Sequence, residues 1–175
     1  AGQENSRTLV ETLRAQVSGE VRFDEMTRAL YSTDASIYQI EPLGVVLPHN
    51  KEDVIAIVEL AHRYGVPILP RGGGTSLASQ AVGRPIVIDM SKYMNNLLEV
   101  NTEEHWARVQ PGIVPEQLNR RIRDTGLFFT PDPATSNRSN VGGAIGNNSC
   151  GAHSILYGKT IDQTKELETV LSDGN

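Results

Sequence analysis

Leu69-Pro70-Arg71-Gly72-Gly73-Gly74-Thr75-Ser76 joins an apolar run to a polar stretch, and its reading decides the architecture. Val66 to Leu69 is short and apolar, as a buried strand should be, and three glycines follow Arg71 directly. Glycine adopts dihedrals closed to other residues, so such a loop can turn several N–H groups onto one anion. Thr75 and Ser76 add hydroxyl donors, and Pro70 fixes the entry to the loop. Arg71 adds a charge able to screen or orient a phosphate. A flexible surface turn is the plainer reading, but placement after a buried strand favours a diphosphate cradle.

Two familiar nucleotide motifs fail at this point. A Rossmann GxGxxG would need its third glycine where Leu77 stands, and a Walker A would need a glycine where His153 precedes Gly158-Lys159-Thr160. Binding of NAD by a Rossmann turn and NTP hydrolysis by a P-loop are therefore disfavoured.

Working outward, Leu9, Val10, Leu13 and Val17 recur at helical spacing, with Asn5 or Ser6 as the cap and Gly19 as the stop. A second helix starts at Asp24 (DEMTRALYSTDA), and Gly44 to Leu47 reads as a buried strand closed by Pro48. Lys51 to Tyr64 carries an apolar helical face and ends at Gly65. With the strands Val66 to Leu69 and Ile86 to Ile88 this makes a βαβ unit, for which a right-handed crossover is expected.

Beyond it, Leu97 to Asn101 and His105 to Val109 form a hairpin across Thr102-Glu103-Glu104. Pro115 opens a helix that Gly126 ends, and Leu127 to Phe129 is read as another strand. Pro131 to Gly158 is rich in Asn, Ser, Gly and Pro without periodicity, and a loop of that length usually binds something. Lys165 to Leu171 alternates like a strand and runs into the turn signal Ser172-Asp173-Gly174, so the second subdomain is expected to be incomplete. The fold class is α+β: an N-terminal helix (1–20) and two small α/β subdomains (21–95 and 96–175).

The chain has 175 residues, 38% hydrophobic and 21% charged, enough for a globular core. A net charge of -5 without any basic stripe makes nucleic acid an unsuitable partner. No apolar run approaches the ~20 residues of a membrane-spanning helix. The single cysteine, Cys150, excludes an internal disulfide and is read as a small buried hydrophobe. His49, His62, His105 and His153 show no metal-ligand spacing, and only His153 lies in a glycine-rich segment.

That segment, Asn140-Val141-Gly142-Gly143-Ala144-Ile145-Gly146-Asn147-Asn148-Ser149-Cys150-Gly151, is followed by Tyr157-Gly158. Glycines with short amide and hydroxyl side chains suit a polar, extended ligand held through backbone groups. One such loop in each subdomain suggests a long ligand gripped from both sides.

The pair PRGGGTS and NVGGAIGNNSCG…YG, with Thr130-Pro131-Asp132-Pro133 before the second and Leu167 to Gly174 after it, resembles the PCMH-type FAD-binding domain of the vanillyl-alcohol-oxidase superfamily. That domain occurs in glycolate oxidase flavoprotein subunits, D-lactate dehydrogenases and D-2-hydroxyglutarate dehydrogenases. Tyr31-Ser32-Thr33-Asp34-Ala35-Ser36-Ile37-Tyr38 further resembles the branch fused to an iron-sulfur domain. The resemblance implies that Pro70 to Ser76 wrap the FAD diphosphate. It also implies that Pro131, Asp132, Val141, Gly142, Gly143, Asn147, Gly151, Tyr157 and Gly158 line the flavin and ribityl path, with Thr169 or Val170 on the adenine side. Thr75 stands where some relatives carry a flavin-linked histidine, so FAD is expected to be non-covalent.

The resemblance further implies an FAD-linked dehydrogenase or oxidase taking a 2-hydroxy acid to the 2-oxo acid, with base and carboxylate clamp in a cap domain and C-terminal segments. Electrons would pass to a quinone, a flavoprotein or an iron-sulfur domain, and the protein would be cytoplasmic or peripheral at the inner membrane. Alternatives are another reaction on the same scaffold, such as enolpyruvyl sugar nucleotide reduction or aromatic alcohol oxidation, or a non-catalytic phosphate- or nucleotide-binding module.

Overall fold

The computed structural model describes the backbone from Gly2 to Asn175 and side chains from Arg7 onward. It divides into two compact units, one reaching to Tyr93 and including Thr169–Asn175, the other Met94–Glu168. The first unit opens with helix α1 (Gly2–Gln16), so Asn5 and Ser6, expected as its caps, fall inside the helix. Their side chains lie outside the described residues. Leu9 and Leu13 are fully buried and α1 packs along α3 (Lys51–Tyr64), as the spacing of its apolar residues requires.

The sheet of this unit has the order β1-β2-β4-β3, built from Glu20–Arg22, Gly44–Leu47, Ile86–Asp89 and Ile68–Arg71. β1 runs antiparallel to β2, whereas β2 and β3 both pair parallel to β4. Every residue of the central strands β2 and β4 is buried, which is why both read as continuous apolar runs. Val45, Leu47 and Val87 pack with Tyr31, Leu69 and Tyr93 on one face.

Helix α2 (Glu25–Leu30) is capped by Asp24, whose carboxylate accepts the Thr27 N–H at 2.9 Å. It stops at Leu30, short of the expected length: the Tyr31 carbonyl accepts from the Arg71 side chain and the Ser32 carbonyl from the Ile40 N–H. α3 is capped by Asn50 and ends at Gly65, whose φ of 64° needs glycine. β3 begins and ends two residues later than the sequence suggests, so Pro70 and Arg71 are strand rather than loop. Pro70 is tolerated because β3 is an edge strand and the ladder to β4 is carried by its neighbours, with Met90 donating to the Arg71 carbonyl at 3.0 Å.

The second unit holds the hairpin β5 (Leu97–Asn101) and β6 (Trp106–Val109), then α4 (Pro115–Ile122) and a 3-10 turn ended by Gly126 at φ 76°. Ile113, Leu118, Ile122 and Val141 form its core. Leu127 to Phe129 is not a strand: the Asn119 side chain takes the place of a neighbouring strand, accepting the Phe129 N–H at 2.7 Å and donating to its carbonyl at 3.2 Å. The stretch expected to be irregular contains two short helices, α5 (Val141–Gly146) and α6 (Ser154–Tyr157). Lys165 to Leu171 forms no strand, having no ladder partner among the described residues. The turn after it does form, closed by the Leu171 N–H on the Asn175 carbonyl at 2.7 Å.

Candidate flavin site

The first glycine loop leaves β3 at the carboxyl end of the parallel strands, where α/β folds place their ligands. Among the described residues, no backbone N–H from Gly72 to Gln80 donates to any acceptor of the chain, and the Thr75 and Ser76 hydroxyls are likewise unbonded. A row of free amides on a short loop is what an anion cradle requires. Of the three glycines only Gly74 has positive φ, at 62°. A Cβ there would lie 2.5 Å from Arg71 Nη2, so the backbone rests directly on the guanidinium.

Arg71 is the pillar under this loop. Its Nη1 donates to the carbonyls of Tyr31 (3.1 Å) and Ala81 (2.8 Å), and Nη2 donates to that of Thr33 (2.7 Å). Its guanidinium stands 5.3 Å from the centroid of the Tyr31 ring, and burial lowers its pKa from the ordinary value. The Tyr31 hydroxyl donates to Asp89 at 2.5 Å, and burial together with that carboxylate raises the phenol's pKa strongly. Asp34 accepts from the N–H groups of Ser36 (2.8 Å) and Ala81 (3.3 Å), while the Ala35 N–H donates to the Gly74 carbonyl at 3.0 Å. The Tyr31–Ala35 segment therefore scaffolds the loop. Arg71 spends three of its donors on carbonyls, a role that spacing alone could not reveal.

In the second unit the expected site residues divide by task. Val141 is in the core, and its N–H donates to Ile113 at 2.9 Å. The Gly142 N–H donates to Pro111 at 2.8 Å, and a Cβ there would meet Pro111 at 2.7 Å. Gly151 has no room for a Cβ, which would stand 2.1 Å from the Asp132 carbonyl oxygen, and Gly158 turns at φ 81° against Asp162. Pro131 is buried. Gly143 differs from these: it is exposed, its N–H is unbonded among the described residues, and nothing lies within 4 Å of a Cβ built on it. Asn147 is exposed and donates to the Gly143 carbonyl at 3.0 Å, and Tyr157 packs edge-on to Phe128 with centroids 5.7 Å apart. Val170 belongs to the first unit.

Three buried polar atoms of this unit lack partners: Thr130 Oγ1, Ser139 Oγ and Asn140 Oδ1. Asn140 is also fixed by donating to the Gly112 carbonyl at 2.5 Å. None of the three was singled out as a ligand by sequence, since short polar residues beside glycines read as loop chemistry. Cys150 is exposed, correcting the expectation of a buried cysteine. It follows α5 in a loop whose ties run through Ser149 and Asn148 instead.

A sequence profile described as the FAD binding domain matches residues 42–175. The chain belongs to this family. The FAD-binding domain is 42% identical to D-2-hydroxyglutarate dehydrogenase of Pantoea ananatis over 172 residues, covering 96% of this chain and 17% of that protein. It is 37% identical to glycolate oxidase subunit GlcD of Bacillus subtilis, covering 91% of this chain and 35% of the subunit. Among solved structures, alkyldihydroxyacetonephosphate synthase matches with a TM-score of 0.80 at 29% identity, covering 87% of this chain and 34% of that one. The domain thus spans only a minor part of the length of the proteins it matches.

FAD fits the residues present. Its diphosphate needs N–H donors, which Gly72 to Gln80 leave free. No helix of the described residues is long and apolar enough to cross a membrane.

Proposed function

We propose that this FAD-binding domain is part of a flavin-dependent dehydrogenase that oxidises a 2-hydroxy acid to the 2-oxo acid. The observation that carries the reading is the run of unbonded amides from Gly72 to Gln80, set on an arginine-supported loop at the end of β3. The names of the relatives, D-2-hydroxyglutarate dehydrogenase and glycolate oxidase subunit, support the substrate class.

In this reading the amides of Gly72 to Ser76 bind the diphosphate, with the Thr75 and Ser76 hydroxyls beside them. Arg71 lends charge from beneath while holding the loop in shape. Gly143, Asn147 and Tyr157 lie along the flavin and ribityl path with Pro131 and Asp132, and Val170 lies towards the adenine. Gly142, Gly151, Gly158 and Val141 keep the second loop in its form. FAD, when bound, supplies the acceptor for the hydride leaving the carbon that bears the hydroxyl. FAD is held non-covalently. The base, the carboxylate clamp and the electron acceptor, whether quinone, flavoprotein or iron-sulfur domain, belong to other parts of the parent protein.

The test uses the longer polypeptide carrying this domain. Anaerobic addition of D-2-hydroxyglutarate, D-lactate or glycolate should bleach the flavin absorbance with one of them and release the matching 2-oxo acid. Bound flavin that none of these acids reduces would refute the substrate class.

A further inference from the structure

The glycine loop is pinned at its entry, its apex and its exit, and each pin involves one segment far ahead of it in the chain, Tyr31 to Ser36. At the entry the Arg71 guanidinium donates to the carbonyls of Tyr31 and Thr33, and at the apex the Gly74 carbonyl accepts the Ala35 N–H at 3.0 Å. At the exit the Ala81 peptide is gripped from both sides: its N–H donates to Asp34 Oδ2 at 3.3 Å and its carbonyl accepts from Arg71 Nη1 at 2.8 Å. The segment is itself braced. Ser32 is fully buried, its hydroxyl donates to the Ala29 carbonyl at 2.7 Å, its carbonyl accepts the Ile40 N–H at 2.8 Å, and Thr33 pairs with Gln39. Asp34 performs two tasks with one carboxylate. Its Oδ1 accepts the Ser36 N–H at 2.8 Å, closing the turn from which the Ala35 N–H reaches Gly74, and its Oδ2 holds Ala81. Burial raises the Asp34 carboxyl, but the hydrogen bonds from Ser36 and Ala81 outweigh it and hold the group below its ordinary value, so both oxygens accept. The unbonded amides lie in the two arcs between the pins, Gly72 to Gly73 and Thr75 to Gln80.

We propose that Asp34 is a positioning residue of the diphosphate cradle: by tying the apex and the exit of the loop to one braced segment, it holds the free amides in the shape that binds a diphosphate. The inference rests on the proposed reading of that loop as the FAD diphosphate site. A loop ordered before the ligand arrives spares binding the cost of ordering it, and a loop released at two of its three pins does not. The sign of the effect separates this role from an electrostatic one. Asp34 is an anion beside an anion site, so by charge alone its removal would tighten binding, whereas loss of positioning weakens it.

The test is titration of FAD, and of ADP, which carries a diphosphate without the flavin, into this chain and into Asp34→Asn and Asp34→Ala, followed by amide NMR of Gly72 to Gln80. Asparagine keeps the turn to Ser36 and loses the second acceptor, whereas alanine loses both. Asp34→Ala should bind both ligands at least about tenfold more weakly than the parent, and Asp34→Asn roughly three- to fivefold more weakly. FAD and ADP should lose the same factor, because the change lies at the diphosphate, and in the ligand-free variants the amides of β2 and β4 should keep their shifts while those of Gly72 to Ala81 move. Unchanged or tighter binding by Asp34→Asn, or weaker FAD binding with ADP unaffected, overturns the inference and leaves the cradle reading standing. Asp34→Asn decides the question even if Asp34→Ala fails to fold. A parent chain that binds neither ligand overturns both readings.

Discussion

Arg71→Ala separates a loop-supporting arginine from one that serves only a ligand. Arg71 gives hydrogen bonds to the carbonyls of Tyr31, Ala81 and Thr33 at 2.7 to 3.1 Å, and Gly74 lies against its guanidinium. A hydrogen bond from a charged donor contributes ~1.5–3 kcal/mol, and the bond to the Thr33 carbonyl is exposed while those to Tyr31 and Ala81 are part-buried, so the net loss should be about 3 kcal/mol. For a chain of this size that corresponds to a melting temperature lower by roughly 6–12 °C. The assay is thermal unfolding without FAD, followed by circular dichroism. Arg71→Lys should recover less than half of the loss, because one ammonium cannot reach the carbonyls that a planar fork spans. A ligand-free Arg71→Ala protein melting within about 1 °C of the parent would refute the supporting role.

Other outcomes follow from particular contacts. Asp53, 4% exposed, accepts the N–H groups of Ser18, Gly19 and His49. Asp53→Asn should therefore cost ~2–4 kcal/mol in denaturant unfolding, since the new amide turns donors towards donors. Gly151→Ala places a Cβ 2.1 Å from backbone oxygen of Asp132. It should lower stability by about 2–3 kcal/mol and speed hydrogen exchange in the loop around Cys150. Hydrogen bonds from Lys92, Tyr93 and Arg22 hold the Glu20 carboxyl at about 2 instead of 4.5. A depressed carboxyl stabilises the fold above its unfolded value, so this contribution should fade as the pH falls from 4.5 towards 2, and Glu20→Gln should flatten that part of the pH–stability curve. Cys150, being exposed, should react with a thiol reagent in the native protein at the stoichiometry of one per chain.

The sequence reveals elements whose signal is local. β2 and α3 fall where their apolar runs place them, and Gly65 ends α3 as its position after the helical face requires. Elements that depend on distant partners are not legible in this way. β1 is three residues long and exists through its pairing with β2, and the run at Leu127 to Phe129 is satisfied by the Asn119 side chain instead of a strand. At the site, the glycine runs stand out by composition. Their division of labour does not: Gly142 and Gly151 are glycines because Pro111 and Asp132 crowd them, whereas Gly143 stands open. The support of Arg71 by Tyr31, Thr33 and Ala81, and the tie of Ala81 to Asp34, join residues far apart in sequence.

The central claim is that the amides after β3 hold the diphosphate of FAD. It is tested most directly by titrating FAD into the purified chain, following flavin fluorescence, beside Gly73→Val. Gly73 is exposed and lies outside the left-handed region, so the variant should fold normally while its side chain keeps a phosphate away from the amides. The account predicts saturable binding by the parent and an affinity at least about tenfold weaker, 1.4 kcal/mol or more, in a Gly73→Val protein of unchanged melting temperature. Equal affinity in the two proteins, or no binding by the parent, would contradict it.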